Sequence, residues 1–343
     1  LASLTEVGGD PSVFATSPAE LHAALLERQA TRPHAMSAGS THDTKRGEDV
    51  RARITVLSEL PDLWAGALAE LLEAVPVPDP GFAALLWQAV VGAWPATTGS
   101  GPGSGTGPDY RRRLHAYAEK AMREAGDGTT WTAPDAAYED AFHRCVDAAF
   151  DDPRVRRVLA TLLDAVVDPG WSNSLAAKLL TLTMPGVPDV YQGSELWEQS
   201  LVDPDNRRPV DFGLRAEVLP ALLGGVTPPF IGGLSDTGAV KLRLVATALR
   251  LRRDEPHRFT GYAPVEAEGA AADHVVAFDR GGLVAVATRL PVGLARRGGW
   301  GETRLALPPG RWFDRLAARE VTGDRLADLL ASYPVALLTR EDS

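Results

Sequence analysis

The chain is poor in cysteine: Cys145 alone occurs in 343 residues. No intramolecular disulfide framework can form, which fits a reducing compartment and makes the cytoplasm the expected location. Cys145 sits in an Ala-, Val- and Phe-rich helical pattern, where a packed, inert thiol is the plainer reading than a nucleophile. No run of about 18 apolar residues occurs, so no membrane span is expected. Nothing near Leu1 has the charged region and apolar core of a signal peptide. The first residue is not Met, which suggests that further sequence lies upstream. Basic residues are in deficit, with 35 Lys and Arg against 45 Asp and Glu and a formal net charge of −10. That excludes nucleic acid as the main partner, because phosphate binding needs a basic surface. A neutral substrate is not excluded. The seven histidines are scattered without metal-ligand spacing, so no catalytic metal is expected.

Apolar residues make up 45% and charged residues 23%, enough for an ordinary core, and the length suggests about two domains. The pattern predicts a helix from Pro18 to Gln29, with Ser17 as N-cap, Pro18 in the first turn and Glu20 completing a capping box. Further helices are expected over Glu48–Glu59, Gly81–Val91, Tyr110–Glu124, Ala136–Phe150 and Arg154–Val166. Ser172–Leu182, set apart from the previous helix by Pro169 and Gly170, and Lys241–Arg253 complete the helical set. Residues 97–108, TTGSGPGSGTGP, lack the GxxxxGK[ST] pattern of a phosphate loop and read as a flexible connection. After Pro256 the pattern turns to strands: His274–Phe278 and Leu283–Thr288 joined by an Asp-Arg-Gly-Gly turn, then Arg304–Leu307, Arg311–Phe313 and Val335–Thr339. A domain boundary is placed near residue 257.

Three polar segments stand out. Ser40-Thr41-His42-Asp43-Thr44-Lys45-Arg46 follows a small-residue run. It reads either as a solvated loop before the helix at Glu48 or as a strand end presenting His, Asp, Lys and Arg to one pocket. Pro185 to Glu195 (PGVPDVYQGSE) has a short β-branched stretch ending in an acidic loop. Asp203 to Phe212 (DPDNRRPVDF) mixes acids, arginines and an asparagine suited to sugar hydroxyls, or forms a turn-rich surface loop with local ion pairs.

These segments resemble one family. STHDTKRGEDVRAR is similar to the region at the end of barrel strand seven in the α-amylase superfamily, in the version found in maltooligosyl trehalose synthases. GVPDVYQGSELWEQSLVDPDNRRPVDF resembles the strand-eight region of the same enzymes. EVGGDP, WQAVVGAWP, PGWSNSLAAKLLTLTMPG and the tail from ALRLRRDEP to LPPGRWFD follow in the family's order, so the resemblance covers nearly the whole chain. Periodicity alone assigns no strand to Ala35–Gly39, which lacks β-branched residues, or around Pro188. Those two strands rest on the resemblance.

The resemblance implies an α/β-plus-β architecture. Residues 1–256 would supply the carboxyl-terminal part of a (β/α)₈ TIM barrel with helical insertions, and 257–343 an antiparallel β-sandwich. Barrel active sites lie at the carboxyl ends of the strands. Retaining glycosidase chemistry needs a nucleophile and a general acid about 5–5.5 Å apart. By the resemblance these come from strands four and five, upstream of Leu1. Glu6, Asp10 and Glu195 are carboxylates on this chain, but none sits in a segment like those motifs. The third acid, which stabilises the transition state, is by resemblance Asp43, with His42 beside it. Lys45, Arg46, Tyr191, Gln192, Glu195, Asp203, Arg207, Arg208 and Trp131 are the expected substrate-binding residues, and Trp197 is a second ring suited to glucosyl stacking. The implied reaction rearranges the reducing-end α-1,4 bond of a maltooligosaccharide to an α,α-1,1 bond, without a cofactor. The expected partners are the sugar and the amino-terminal half of the barrel, and the 343-residue chain alone is expected to be inactive. Another hydrolase or transferase of the superfamily and a non-catalytic glucan-binding remnant are the alternatives.

Overall fold

The computed structural model describes residues 1–96 and 108–341. The connection expected at 97–108 lies outside the described residues, except that Pro108 opens a helix. The chain begins with α1 (Pro18–Thr31), a short strand β1 (Met36–Ala38) and α2 (Glu48–Thr55). A helical array follows: α3 (Pro61–Ala74), α4 (Pro80–Gly92), α5 (Pro108–Ala125), α6 (Ala136–Asp151) and the long α7 (Pro153–Thr183). Then come β2 (Val187–Asp189), α8 (Phe212–Leu223) and α9 (Ala239–Asp254). The last part holds β3 (Ala263–Pro264), β4 (Ala267–Glu268), β5 (Val275–Asp279), β6 (Leu283–Thr288) and α10 (Pro291–Arg296). β7 (Arg304–Leu305), β8 (Trp312–Asp314), β9 (Arg319–Val321), α11 (Leu326–Leu329) and β10 (Val335–Arg340) end it.

Local signals explain most of these bounds. The capping box of α1 is complete: Ser17 N donates to Glu20 Oε2 at 2.7 Å and Glu20 N to Ser17 Oγ at 3.2 Å, satisfying two amides with no helical partner. The sequence reading is corrected at Pro169. Two helices were expected there, and a single helix runs through. Proline removes one backbone donor at a cost of about 3 kcal/mol. Burial on both sides offsets that cost, since Val166, Val167, Trp171 and Leu175 are all in the core. Gly170 contributes as well, because a Cβ there would lie 3.0 Å from the Arg53 backbone. Among the described residues the helices α3 and α8 and the short α10 and α11 were not expected. Pro61 is the first-turn proline of α3, where its missing donor has no helical partner to lose. Asp211, in the segment read as suited to sugar hydroxyls or as a turn-rich surface loop, caps α8 by accepting from Leu214 N at 2.8 Å.

β1 and β2 pair in parallel, Met36 with Val187, Ser37 with Pro188 and Ala38 with Asp189. Pro188 fits because Val187 N, not its own nitrogen, donates to Ala35 O at 3.0 Å. Beyond them a six-stranded antiparallel sheet has the order β3-β5-β6-β10-β8-β9. Both of its faces are covered. Phe278, Leu283, Ala285, Val335 and Leu337 pack with residues of α1, α7 and α9. Ala277, Val284, Val286, Ala336 and Leu338 point the other way, toward Leu305, Trp312 and Leu326. Side chains alternate between faces. A strand apolar at every position is therefore buried on both sides.

Arg280, in the β5–β6 turn, ties this sheet to the helices. Its Nη1 donates to Thr183 O of α7 at 2.6 Å and its Nη2 to Gln29 Oε1 of α1 at 2.9 Å; Nη2 also reaches Phe259 O and Nε Gly261 O, each at 2.5 Å. Arg280→Met would fill the space and leave these acceptors buried without a donor. We expect a loss of about 3 kcal/mol, measured as a shift in the urea midpoint; a change below about 1 kcal/mol would remove Arg280 as a tie between the layers.

Candidate active site

The segment after β1 is a tight polar loop built on threonine. Thr44 Oγ1 donates to Thr41 O at 2.7 Å, and Asp43 N to Thr41 Oγ1 at 3.2 Å. These short-range bonds replace regular structure and leave the His42 and Asp43 side chains exposed. Lys45 Nζ lies 3.5 Å from Asp43 Oδ1, with the two side chains 42% and 58% exposed. At that exposure the pair orients rather than stabilises. Beneath the loop, Glu6 accepts from Lys45 N at 2.7 Å and from Arg46 N at 3.1 Å. Glu6, weighed from the sequence as a spare catalytic carboxylate, is thus a backbone clamp. Asp10 accepts from Ser12 N and Oγ in an exposed turn.

Arg46 needs a correction. A sugar contact was expected, but the residue is 3% exposed. Its guanidinium donates to Ala2 O at 3.1 Å and Tyr117 Oη at 2.9 Å. A group enclosed in that way fastens the loop to α5 and does not reach solvent. Trp131, on the connection from α5 to α6, is 57% exposed, with the Arg123 guanidinium 5.0 Å above its ring.

The second polar region, 190–211, is held from several sides. Arg113 of α5 binds Asp205 with Nε at 2.6 Å and Nη2 at 2.8 Å, and Leu201 N donates to the same carboxylate at 2.7 Å. Burial pushes the Asp205 carboxyl up, yet the Arg113 bonds outweigh it and hold the group below its ordinary value. Arg208 Nε sits 3.0 Å from Asp205, Arg207 Nε 2.5 Å from Asp203, and Arg215 Nε 3.0 Å from Glu195. Lys120 Nζ donates to Asp203 O at 2.7 Å. Tyr191 Oη donates to Asn206 O at 3.1 Å, and burial raises its hydroxyl pKa.

A cleft of about 210 Å³ opens here, its walls including Gln192, Trp197, Glu198, Asp205, Asn206 and Arg208. Of the residues expected to bind substrate it gathers Gln192 and Arg208. The His42–Asp43 loop abuts it through Asn206, whose Nδ2 donates to His42 O at 2.8 Å. The Trp197 ring stacks on Trp171, centroids 4.3 Å apart, and its Nε1 donates to Asp236 Oδ1 at 2.9 Å, so packing holds it. Cys145 is buried in α6, with its thiol pushed by burial to about 12, as an inert packed residue would be.

Four charged residues behind the loop escaped the sequence reading. Lys178 and Lys241 both place Nζ 2.7 Å from Glu48 Oε1, and Lys241 also lies 2.7 Å from Asp49 Oδ2. The available signal was a lysine at positions where LAAKLL and AVKLRL otherwise place core residues. Glu198 was missed as well. Its Oε1 accepts from Ser200 N at 2.8 Å, Oε2 has no partner among the described residues, and a Cβ on Gly47 would collide with it.

Burial raises the Glu198 pKa, and the nearby Asp49 charge adds to the effect. An acid with a raised folded pKa contributes stability below its unfolded value, and that contribution is lost as pH rises through the folded value. Glu198→Gln should therefore flatten the fall in stability as pH rises above the ordinary carboxylate range. Thermal midpoints from pH 4.5 to 8 read this; identical pH slopes for variant and parent would show that Glu198 does not titrate in that window.

No family model matches the chain. A Mycobacterium tuberculosis protein named for maltooligosyl trehalose synthase is 48% identical over 347 residues, covering 100% of this chain and 42% of its own length. The solved maltooligosyltrehalose synthase of Arthrobacter ramosus is 51% identical with a TM-score of 0.91, covering 99% of this chain and 43% of that one. A solved DSM5389 glycosyltrehalose synthase is 28% identical with a TM-score of 0.76 over 99% of this chain. The chain therefore spans about two fifths of the length of the curated relatives it matches.

Proposed function

We propose, on the premise that this chain is the counterpart of the carboxyl-terminal part of the maltooligosyl trehalose synthases, that it supplies one wall of the active site of such an enzyme. The reading is carried by one observation. The match over the whole of this chain includes both polar loops, which Asn206 links by a hydrogen bond to His42 O. In this reading the parallel pair β1 and β2 forms the last two strands of a (β/α)₈ barrel, and both loops follow the carboxyl ends of their strands, where barrel sites lie. Residues from about 257 form the second domain, with the six-stranded sheet and the β4–β7 pair as the two layers of a sandwich.

The reaction moves a glucosyl unit within one molecule. The reducing-end α-1,4 bond of a maltooligosaccharide breaks, the released glucose turns, and its anomeric oxygen closes an α,α-1,1 bond. No water is consumed. The nucleophile and general acid belong to the part of the relatives' length that this chain does not span. Asp43 supplies negative charge to the oxocarbenium-like centre, where an oriented carboxylate gains most as positive charge develops. His42 is placed to hydrogen-bond a sugar hydroxyl, and Lys45 orients Asp43. Tyr191, Gln192, Glu195, Arg208 and the exposed Arg207–Asp203 pair shape the space in which glucose must turn while water stays out.

Asp43→Asn keeps the shape and removes the charge. In the full reading frame that encodes this chain, formation of the non-reducing α,α-1,1 product from maltopentaose should fall by a few orders of magnitude, about the 3–4 kcal/mol of a well-placed electrostatic group. Activity within tenfold of the parent would sink the assignment and favour a wall that only binds glucan. Gln192→Ala should instead raise the ratio of free glucose to non-reducing product while total bond cleavage stays close to the parent's, because it opens the cleft to water. An equal loss of both products would assign Gln192 to the fold alone.

A further inference from the structure

Asn206 joins the two loops by a bond pattern that few residues could reproduce. Its side chain is 7% exposed. Nδ2 faces three carbonyls of the Asp43 loop: His42 O at 2.8 Å, Thr41 O at 3.4 Å and Thr44 O at 3.4 Å. Three converging acceptors require a donor, which fixes the amide orientation. Among the described residues Oδ1 is buried without a partner, and the hydrogen bonds of this side chain go to one loop.

The residue itself is anchored. Its backbone carbonyl accepts from Tyr191 Oη at 3.1 Å, and it sits in a short 3₁₀ turn, Asp205–Arg207. Asp205, one residue earlier, is gripped by Arg113 and by Leu201 N. On the loop side, Asn206 holds the His42 carbonyl, and among the described residues its neighbour Asp43 is bonded locally, through Thr41 and Lys45. Glu6 clamps the far end, at Lys45 and Arg46. The loop is thus pinned at its carboxyl end by Glu6 and at its apex by Asn206.

We infer that Asn206 is a positioning residue for Asp43: its amide fixes the backbone at His42 so that the Asp43 carboxylate stands where the developing charge forms. The inference rests on the assignment of Asp43 proposed above. An electrostatic group displaced by about 1 Å loses much of its rate effect although it is still present. Asn206 does not touch substrate in this account, so its loss acts on kcat and leaves KM largely alone.

Asn206→Asp is the sharpest variant, because it keeps the shape and turns the donor into an acceptor facing three carbonyls. Asn206→Ala removes the donor without adding a charge and serves where the aspartate variant does not fold. Both are made in the full reading frame, alone and combined with Asp43→Asn, and assayed on maltopentaose. The expected result is a fall in kcat of about 30-fold or more for either variant with KM within threefold. Asn206→Asp should also recover part of its activity as pH falls and its carboxyl regains a proton to donate. The double variants should be no slower than Asp43→Asn alone, because a residue that acts through Asp43 has nothing left to position. A fall in the double variant that multiplies the two single losses would overturn the inference and leave Asn206 with a general structural role. So would a kcat within threefold of the parent, or a loss confined to KM. If Asp43→Asn itself stays within tenfold of the parent, the assignment of Asp43 fails first, and the Asn206 variants then report on that failure rather than on positioning.

Discussion

Two buried lysines meeting two adjacent carboxylates hold this structure in register. Glu48 and Asp49 open α2, directly after the polar loop. Lys178 reaches Glu48 from α7, and Lys241 reaches both acids from α9. Lys241 and Asp49 are 0% and 1% exposed. Removing such ions from water costs several kcal/mol each, and the remaining bonds answer that cost. Lys178 Nζ also donates to Ser194 Oγ at 3.1 Å, Lys241 Nζ to Leu196 O at 3.3 Å, and Glu198 N donates to Asp49 at 2.6 Å. Burial works against the charge on both Lys241 and Glu48, but the opposite charges win: the Lys241 pKa is raised and that of Glu48 lowered. The amino end of a helix is also a favourable place for two acids.

The value of this arrangement lies in specificity more than in stability. A hydrophobic quartet of the same volume would cost less to bury, but it would tolerate rotation and sliding of α2 against α7 and α9. Four ions with directional partners permit one arrangement. Because Ser194, Leu196 and Glu198 are among those partners, the same bonds locate the 190–206 segment relative to α2. The two polar loops are therefore placed by one framework before either meets a ligand.

Outward from that framework, support passes through progressively more exposed groups. Arg113 and Asp205 are nearly enclosed, Arg208 and Glu195 are partly covered, and Lys45 and Asp43 are open. This gradient would suit the proposed sugar site. Rigid, charge-balanced supports lie below, and unspent hydrogen-bonding capacity lies at the surface. It also explains why an acidic chain carries its conspicuous arginines here: most are consumed in holding backbone carbonyls and carboxylates.

Several features were legible in the residues alone. The capping box at Ser17, the β5–β6 hairpin, the helices with regular apolar spacing and the packed state of Cys145 each depend on neighbours in sequence, and local rules suffice for them. The two polar loops stood out as unusual, although spacing left open whether they were sites or solvated turns. What lay beyond reach was decided between distant segments. β1 lacks β-branched residues and β2 carries Pro188, and the two exist as strands because Met36 meets a partner at Val187, far along the chain. Helix α7 crosses Pro169 because burial outweighs a missing hydrogen bond. Arg46 turned inward, Glu6 became a clamp and Asn206 a bolt for reasons of contact alone, since no local pattern states which carbonyl a side chain will find. The sequence by itself determined which residues have the chemistry for the site; only the tertiary structure decided which of them are spent on holding it, because burial and hydrogen-bond partners are properties of the folded chain.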